Sequence, residues 1–210
     1  MPTSTQNPTR VVSASAVGSV AWTTPPNAKS LNAAYATAAL NNSQSQYLRA
    51  TAFAFAIPSN ATIDGIQVRV SKLRTAGTGN LDDNRLFLVR RGVILAAGQI
   101  RQDQGAAWTG SAVYSTYGAT DDLWGVPWVA ADINDPQFGV VFSCTETASL
   151  AATAGIDHVE IIVSYTAGYL ASPSVQHSGE VSLFGKRYRL KPEEDGTPGK
   201  VRVSLATQMP

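Results

Sequence analysis

Charged side chains are scarce in this 210-residue chain: Asp, Glu, Lys and Arg together make up 15% of it, against about 25% in an average globular protein. The 16 Lys and Arg nearly cancel the 15 Asp and Glu, leaving a net charge of +1. With no basic excess, binding to nucleic acid by counterion release has no footing. Cysteine is rarer still. Cys144 stands alone, so an intrachain disulfide is excluded, and in "FGVVFSC" it reads as a small buried hydrophobe. Histidine is limited to His158 and His177. Neither forms a local signature with Cys144 or lies near a "GxSxG" elbow, which removes the sequence case for a nucleophilic enzyme. No apolar run approaches the 18 or so residues of a spanning helix, so no membrane association is expected. The opening "MPTSTQNPTRVVSASAVGSVAW" lacks the order of a secretory signal. "GTGN" has neither the spacing nor the Lys of a phosphate-binding loop, and no cofactor is expected.

In place of charge the chain has Ala, Ser, Thr, Asn and Gln. Such a surface is cheap to desolvate and suits protein–protein contact. Period-2 alternation dominates. In "YLRATAFAFAIP", Phe53, Phe55 and Ile57 share one face and Ala52, Ala54 and Ala56 the other, which predicts one strand ended by Pro58. "IQVRV" alternates in the same way. "LRTAGTGNLDDN" reads as a loop, and "RLFLVRRGVILAAGQI" as two short strands around Arg91 and Gly92. "PQFGVVFSC" is apolar on both faces, as a central strand should be. In "GIDHVEIIVSYT", Asp157 falls with Val159, Ile161 and Val163, while His158 falls with Glu160 as a solvated or hydrogen-bonded strand residue. "AKSLNAAYATAAL" lacks a clean apolar stripe and predicts an extended loop running into a strand. Many short strands between turn signals predict an all-β antiparallel sandwich. The expected organisation is an N-terminal arm (1–10), a sandwich (11–168), and a C-terminal connector and arm (169–210). In that arm "EVSLFGKRYRL" and "KVRVSL" flank "KPEEDGTPG" as a β-hairpin. A lone hairpin is marginal in water, so it is expected to dock on its own domain or on a neighbouring subunit, with Phe184, Arg187, Tyr188 and Arg189 as its contacts to neighbouring subunits.

Three carboxylate pairs invite a chemical reading: Asp82 with Asp83, Asp121 with Asp122, and Asp132 with Asp135. Neighbouring residues of a strand point to opposite faces, so a DD dipeptide is a poor acid–base pair; turn formation and capping are the expected roles. Catalytic residues and metal ligands are expected to be absent, although oxygen-rich β-loops can bind calcium. The aromatic residues leave two readings open. Trp22, Trp108, Trp124 and Trp128 all fall in or beside loops. They either plug the sandwich ends or, with Tyr117, present a surface to a partner or a glycan. The densest stretch, "YGATDDLWGVPW", holds both kinds of candidate.

Taken in order, Trp22 to Asn27-Ala28, "AAYATA", "YLRATAFAFAIPSNATIDGIQVRV", "YGATDDLWG-x2-W-x3-DIN-x3-FGV" and "AGIDHVEIIVSYT" form a set. It resembles a family of tailed-bacteriophage virion structural proteins, over about residues 20 to 168. The resemblance implies a jelly-roll-like β-sandwich and a place in the virion. His158 and the early "SLNAAYAT" depart from the family's pattern. The expected function is a non-enzymatic capsid-surface accessory: a decoration, cement or head-fibre-base protein, made in the host cytoplasm. Its expected partners are other phage structural proteins and further copies of itself, a trimer being one closed ring open to it. The alternative is a tail or baseplate adhesion module binding a host glycan through its Trp and Tyr loops.

Overall fold

The computed structural model describes residues 1–96 and 108–168, together with the backbone of strands at 180–183, 186–194 and 201–208. The chain divides between Gly168 and Tyr169 into two compact units.

Among its described residues the first unit is β apart from a 3-10 turn (Pro25–Ala28) and one short helix, α1 (Ala130–Ile133). Its strands are β1 (Thr3–Gln6), β2 (Arg10–Ala14), β3 (Ala36–Leu40), β4 (Ser43–Gln44), β5 (Tyr47–Thr51), β6 (Thr62–Gly77), β7 (Leu81–Arg90), β8 (Val93–Ile94), β9 (Val113–Gly118), β10 (Gly139–Glu146) and β11 (Ala152–Thr166). One sheet runs β1-β11-β6-β9, with β3 also on β11. The other runs β2-β5-β10-β7-β8, with β4 also on β10. Every ladder is antiparallel. From β5 onward the long strands alternate between the two sheets, so each connection crosses the sandwich. This alternation gives the sandwich its jelly-roll-like character.

The core lies between the sheets. Ile66, Val68, Val70, Val159, Ile161 and Val163 enter from one side, and Leu48, Ala50, Leu86, Leu88, Val140 and Phe142 from the other. Each buried side chain of this size contributes roughly 1.5–3 kcal/mol relative to exposure. β10, read as a central strand, lies between β5 and β7, which is why it needs apolar residues on both faces.

Four local readings need correction, each for a physical reason. First, the strand through "YLRATAFAFAIP" stops at Thr51. Ala52 and Ala54 adopt left-handed conformations, with φ of 58° and 54°, at a cost of roughly 1–2 kcal/mol each for a non-glycine residue. The side chains still alternate, with Phe53, Phe55 and Ile57 buried and Ala54 and Ala56 exposed. The backbone groups find partners outside a ladder: Ala52 N–H donates to Pro136 O, and Asn134 brackets Ile57 by accepting from its N–H and donating to its carbonyl, both at 2.8 Å. Second, "LRTAGTGNLDDN" is mostly strand, leaving only 78–80 between β6 and β7. Third, residues 1–10 do not form a separate arm: β1 pairs with β11 along Ser164 to Ile161 as an edge strand. Fourth, β11 is not evenly alternating. Its partners on β6 step from Lys72 opposite Ile156 to Ser71 opposite His158, so Asp157 is an extra bulge residue. The bulge takes Asp157 off the Val159 face. Its carboxylate accepts the N–H groups of Asn32 and Ala33 at 3.1 and 3.0 Å. The "AKSLNAAYATAAL" stretch is a turn and extended chain leading into β3, without a helix.

The second unit is a three-stranded antiparallel sheet: β12 (Glu180–Leu183), β13 (Lys186–Glu194) and β14 (Val201–Gln208), in that order. The expected hairpin corresponds to β13 and β14. "EVSL" adds a third strand in place of lengthening the first, and a third strand is what a small sheet needs for independent stability.

Candidate functional site

"YGATDDLWGVPW" is a folded-back loop whose indoles point inward. Trp124 has φ 58° and Gly125 φ 74°, which reverses the chain. The carboxylate of Asp122 accepts Trp124 N–H at 2.8 Å, a local cap of the kind Asp makes in turns. Asp122 O accepts Ile66 N–H at 2.9 Å, and the indole of Trp124 donates to Ile66 O at 2.8 Å. The loop is thereby stitched to β6 from above and below. It passes so close that a Cβ on Gly65 would lie 2.3 Å from the Thr120 carbonyl carbon. Trp128 donates to Leu123 O at 3.0 Å and meets Phe138 edge-on, ring centroids 5.5 Å apart.

All four tryptophans are buried, as is Tyr117. Trp22 donates its indole N–H to Gln46 O at 2.8 Å. The reading of Trp108, Tyr117, Trp124 and Trp128 as a surface for a partner or glycan is therefore corrected: each is at the sandwich core, with its polar atom satisfied inside the fold. Of the C-terminal contact candidates, Phe184 lies outside the described residues. Arg187, Tyr188 and Arg189 have backbone positions on β13 opposite Ser182, Val181 and Glu180, and their side chains lie outside the described residues.

None of the carboxylate pairs faces its neighbour. Asp121 is exposed, while Asp122 caps. Asp135 caps Gln137 N–H at 2.7 Å. Asp132 is fully buried on α1, with its oxygens 2.6 and 2.9 Å from guanidinium nitrogens of Arg90 and Arg91. Both contacts lie off the hydrogen-bond line, so they are charge contacts without directed hydrogen bonds. Among the described residues, no three His, Cys, Asp or Glu side chains gather as metal ligands. Burial pushes the Cys144 thiol up to about 12, so it stays a thiol.

Two polar clusters do assemble, on opposite faces of β6. On the outer face, Arg69 pairs with Glu160 and lies over the ring of Tyr114, 4.1 Å from its centroid, a cation–π stack. Tyr114 Oη shares a 2.7 Å hydrogen bond with His158 Nδ1, and His158 Nε2 shares one of 3.0 Å with Asn7 Oδ1. His158 is thus hydrogen-bonded and buried, tying the N-terminal segment to the sheet. Burial lowers its pKa from the ordinary 6.5, against the opposing pull of Glu160 and Asp157. Burial also raises that of Tyr114, helped by Glu160.

The inner cluster is the more unusual. Lys72 on β6 and Asp83 on β7 pair across the two sheets at 2.7 Å, their side chains 0% and 2% exposed. Trp108 Nε1–H donates to Asp83 Oδ1 at 3.0 Å, and Tyr117 O–H donates to Oδ2 at 2.6 Å. The Lys72 ammonium lies 5.3 and 5.9 Å from the Trp108 and Tyr117 ring centroids. The sequence reading did not single out Lys72. The signal was present in the alternation of "IQVRVSK", which puts Lys72 on the same face as Ile66, Val68 and Val70. Strand parity outranked the usual expectation that Lys faces water.

No family model matches the chain, and no curated protein does. Among solved structures it is similar to the CBM22-1 xylan-binding domain from Paenibacillus barcinonensis Xyn10C, at 13% identity over 78% of this chain and 94% of that one, with a TM-score of 0.36. So loose a likeness bears on neither the ligand nor the topology of this chain, whose sandwich is established by its own ladders.

Proposed function

We propose that the chain is a non-enzymatic structural component of a bacteriophage virion, acting through protein–protein contacts on the capsid surface as a decoration, cement or head-fibre-base protein. The observation that carries this reading is the ordered set of motifs from Trp22 to the "GIDHVEIIVSYT" strand. Two features support it. The candidate aromatic residues, and Asp83 and Asp122 among the carboxylates, are used to hold the sandwich together. The chain also follows the sandwich with a second compact β unit behind a Pro/Ser/Gly connector, an arrangement suited to reaching a neighbouring subunit. A glycan-adhesion role draws no support from Trp108, Tyr117, Trp124 or Trp128, because a stacking platform needs ring faces open to solvent.

The test is removal of residues 169–210. Particle association, or self-association measured by sedimentation, should be lost while the remaining chain keeps its β circular-dichroism spectrum. Normal incorporation of the truncated chain would overturn the assignment of 169–210 as the anchor.

A further inference from the structure

We propose that Lys72 and Asp83 become joined by an intramolecular isopeptide bond, a covalent cross-link between the two sheets of the sandwich. The proposal is independent of any virion role. It rests on how the pair is held. Amine and carboxylate are in contact at 2.7 Å, both nearly inaccessible to water, on strands of different sheets. Each carboxylate oxygen is already held by a different donor, Oδ1 by the Trp108 indole and Oδ2 by the Tyr117 hydroxyl. Donors on both oxygens satisfy a buried carboxylate, and the same division suits acyl transfer, in which one oxygen accepts charge and the other leaves.

The step balances without any added reagent. Away from water the ion pair loses the hydration that favours it over its neutral form, and one proton moves from Lys72 Nζ to Asp83 Oδ2 along their hydrogen bond. The Nζ lone pair then attacks Cγ, and the charge that develops on Oδ1 meets the Trp108 N–H, the arrangement of an oxyanion hole. Tyr117 Oη lies 2.6 Å from Oδ2 and 3.4 Å from Nζ. It can therefore take a proton from the nitrogen while giving its own to Oδ2, as a combined acid and base. The Cγ–Oδ2 bond breaks, Oδ2 leaves as water, the carbonyl re-forms at Oδ1, and a secondary amide joins the side chains. No electron is gained or lost. Holding the reactants in contact supplies the orientation that such a condensation otherwise lacks.

The test is mass spectrometry of the intact, folded full-length protein. The expected mass is lower than the sequence mass by one water. Trypsin should fail to cut after Lys72, yielding a branched species in which the peptide Val70–Arg74 is joined to Thr75–Arg85. A folded wild-type protein at full mass, cut after Lys72, would overturn the proposal. Cyclisation of an aspartate with its own backbone also loses water, so Lys72→Arg is the second arm: it should restore the full mass, and persistence of the water loss in that variant would overturn the proposal as well. Tyr117→Phe should lower the cross-linked fraction; an undiminished fraction would overturn the role given to Tyr117.

Discussion

Arg69 and Lys72 are three residues apart on β6, and each is paired with a carboxylate from a neighbouring strand, yet they face opposite sides of the sheet. Arg69 lies on the outer face, its side chain about one-third exposed, stacked on Tyr114 and joined to Glu160. Lys72 lies inside, wholly enclosed. The first pair keeps partial contact with water through Arg69 while Glu160 is largely buried, whereas breaking the second strands a charge in the core. The difference arises from one parity step along a strand, with no change in the kind of side chains involved.

The inner pair should respond most strongly to substitution. Asp83→Ala should destabilise the sandwich by about 3–5 kcal/mol, read as a fall in the denaturant midpoint, because it removes the buried carboxylate side of the pair and with it the link between the sheets. A double replacement by apolar residues of similar volume, Lys72→Met with Asp83→Leu, should recover the part of that loss due to the stranded ammonium but not the part due to the lost cross-link. If Asp83→Ala costs no more than a surface change, the pair is not enclosed in solution. Trp124→Ala comes next: emptying the indole's place above Ile66 should cost about 3–5 kcal/mol. A normal melting temperature in that variant would mean the indole is outside the core after all.

His158 sharpens the outer side of the comparison. Its folded pKa is depressed by burial, so the unfolded chain binds its proton more readily than the folded one. Stability from this residue is therefore complete above the ordinary value of 6.5. It declines as pH falls below that value toward the folded pKa. Denaturation midpoints measured between about pH 7 and 5 should show this slope, and His158→Gln should flatten it. The smallest effect belongs to Glu160→Ala, expected at about 1 kcal/mol or less and diminishing further in high salt. A salt-insensitive loss of several kcal/mol would erase the contrast between the two faces.

Much of the sandwich was legible in the sequence because burial there follows strand parity. "PQFGVVFSC" is apolar on both sides because β10 faces the core on one side and, on the other, packs Val141 with Tyr47, Phe87 and Val89 of its neighbouring strands. The Phe53, Phe55 and Ile57 face was equally legible, although the chain reaches it by left-handed steps at Ala52 and Ala54 that no propensity suggests. The bulge at Asp157 was not legible, since one inserted residue shifts the face of its neighbours without changing composition. The loop tryptophans could not be assigned from sequence because an indole serves equally well as a plug or as a contact surface. What decides between them is the hydrogen bond each N–H finds: a distant backbone carbonyl for Trp22 and Trp124, the Asp83 carboxylate for Trp108, and the nearby Leu123 carbonyl for Trp128. Lys72 was readable by parity and passed over because lysine so seldom faces a core.

The proposed place of this chain in a virion can be checked by electron cryo-microscopy of particles purified from a phage that encodes it. The expected result is ordered β-sandwich density of this topology on the capsid surface, with the 169–210 unit contacting a neighbouring subunit. Intact particles that contain none of this chain would contradict it.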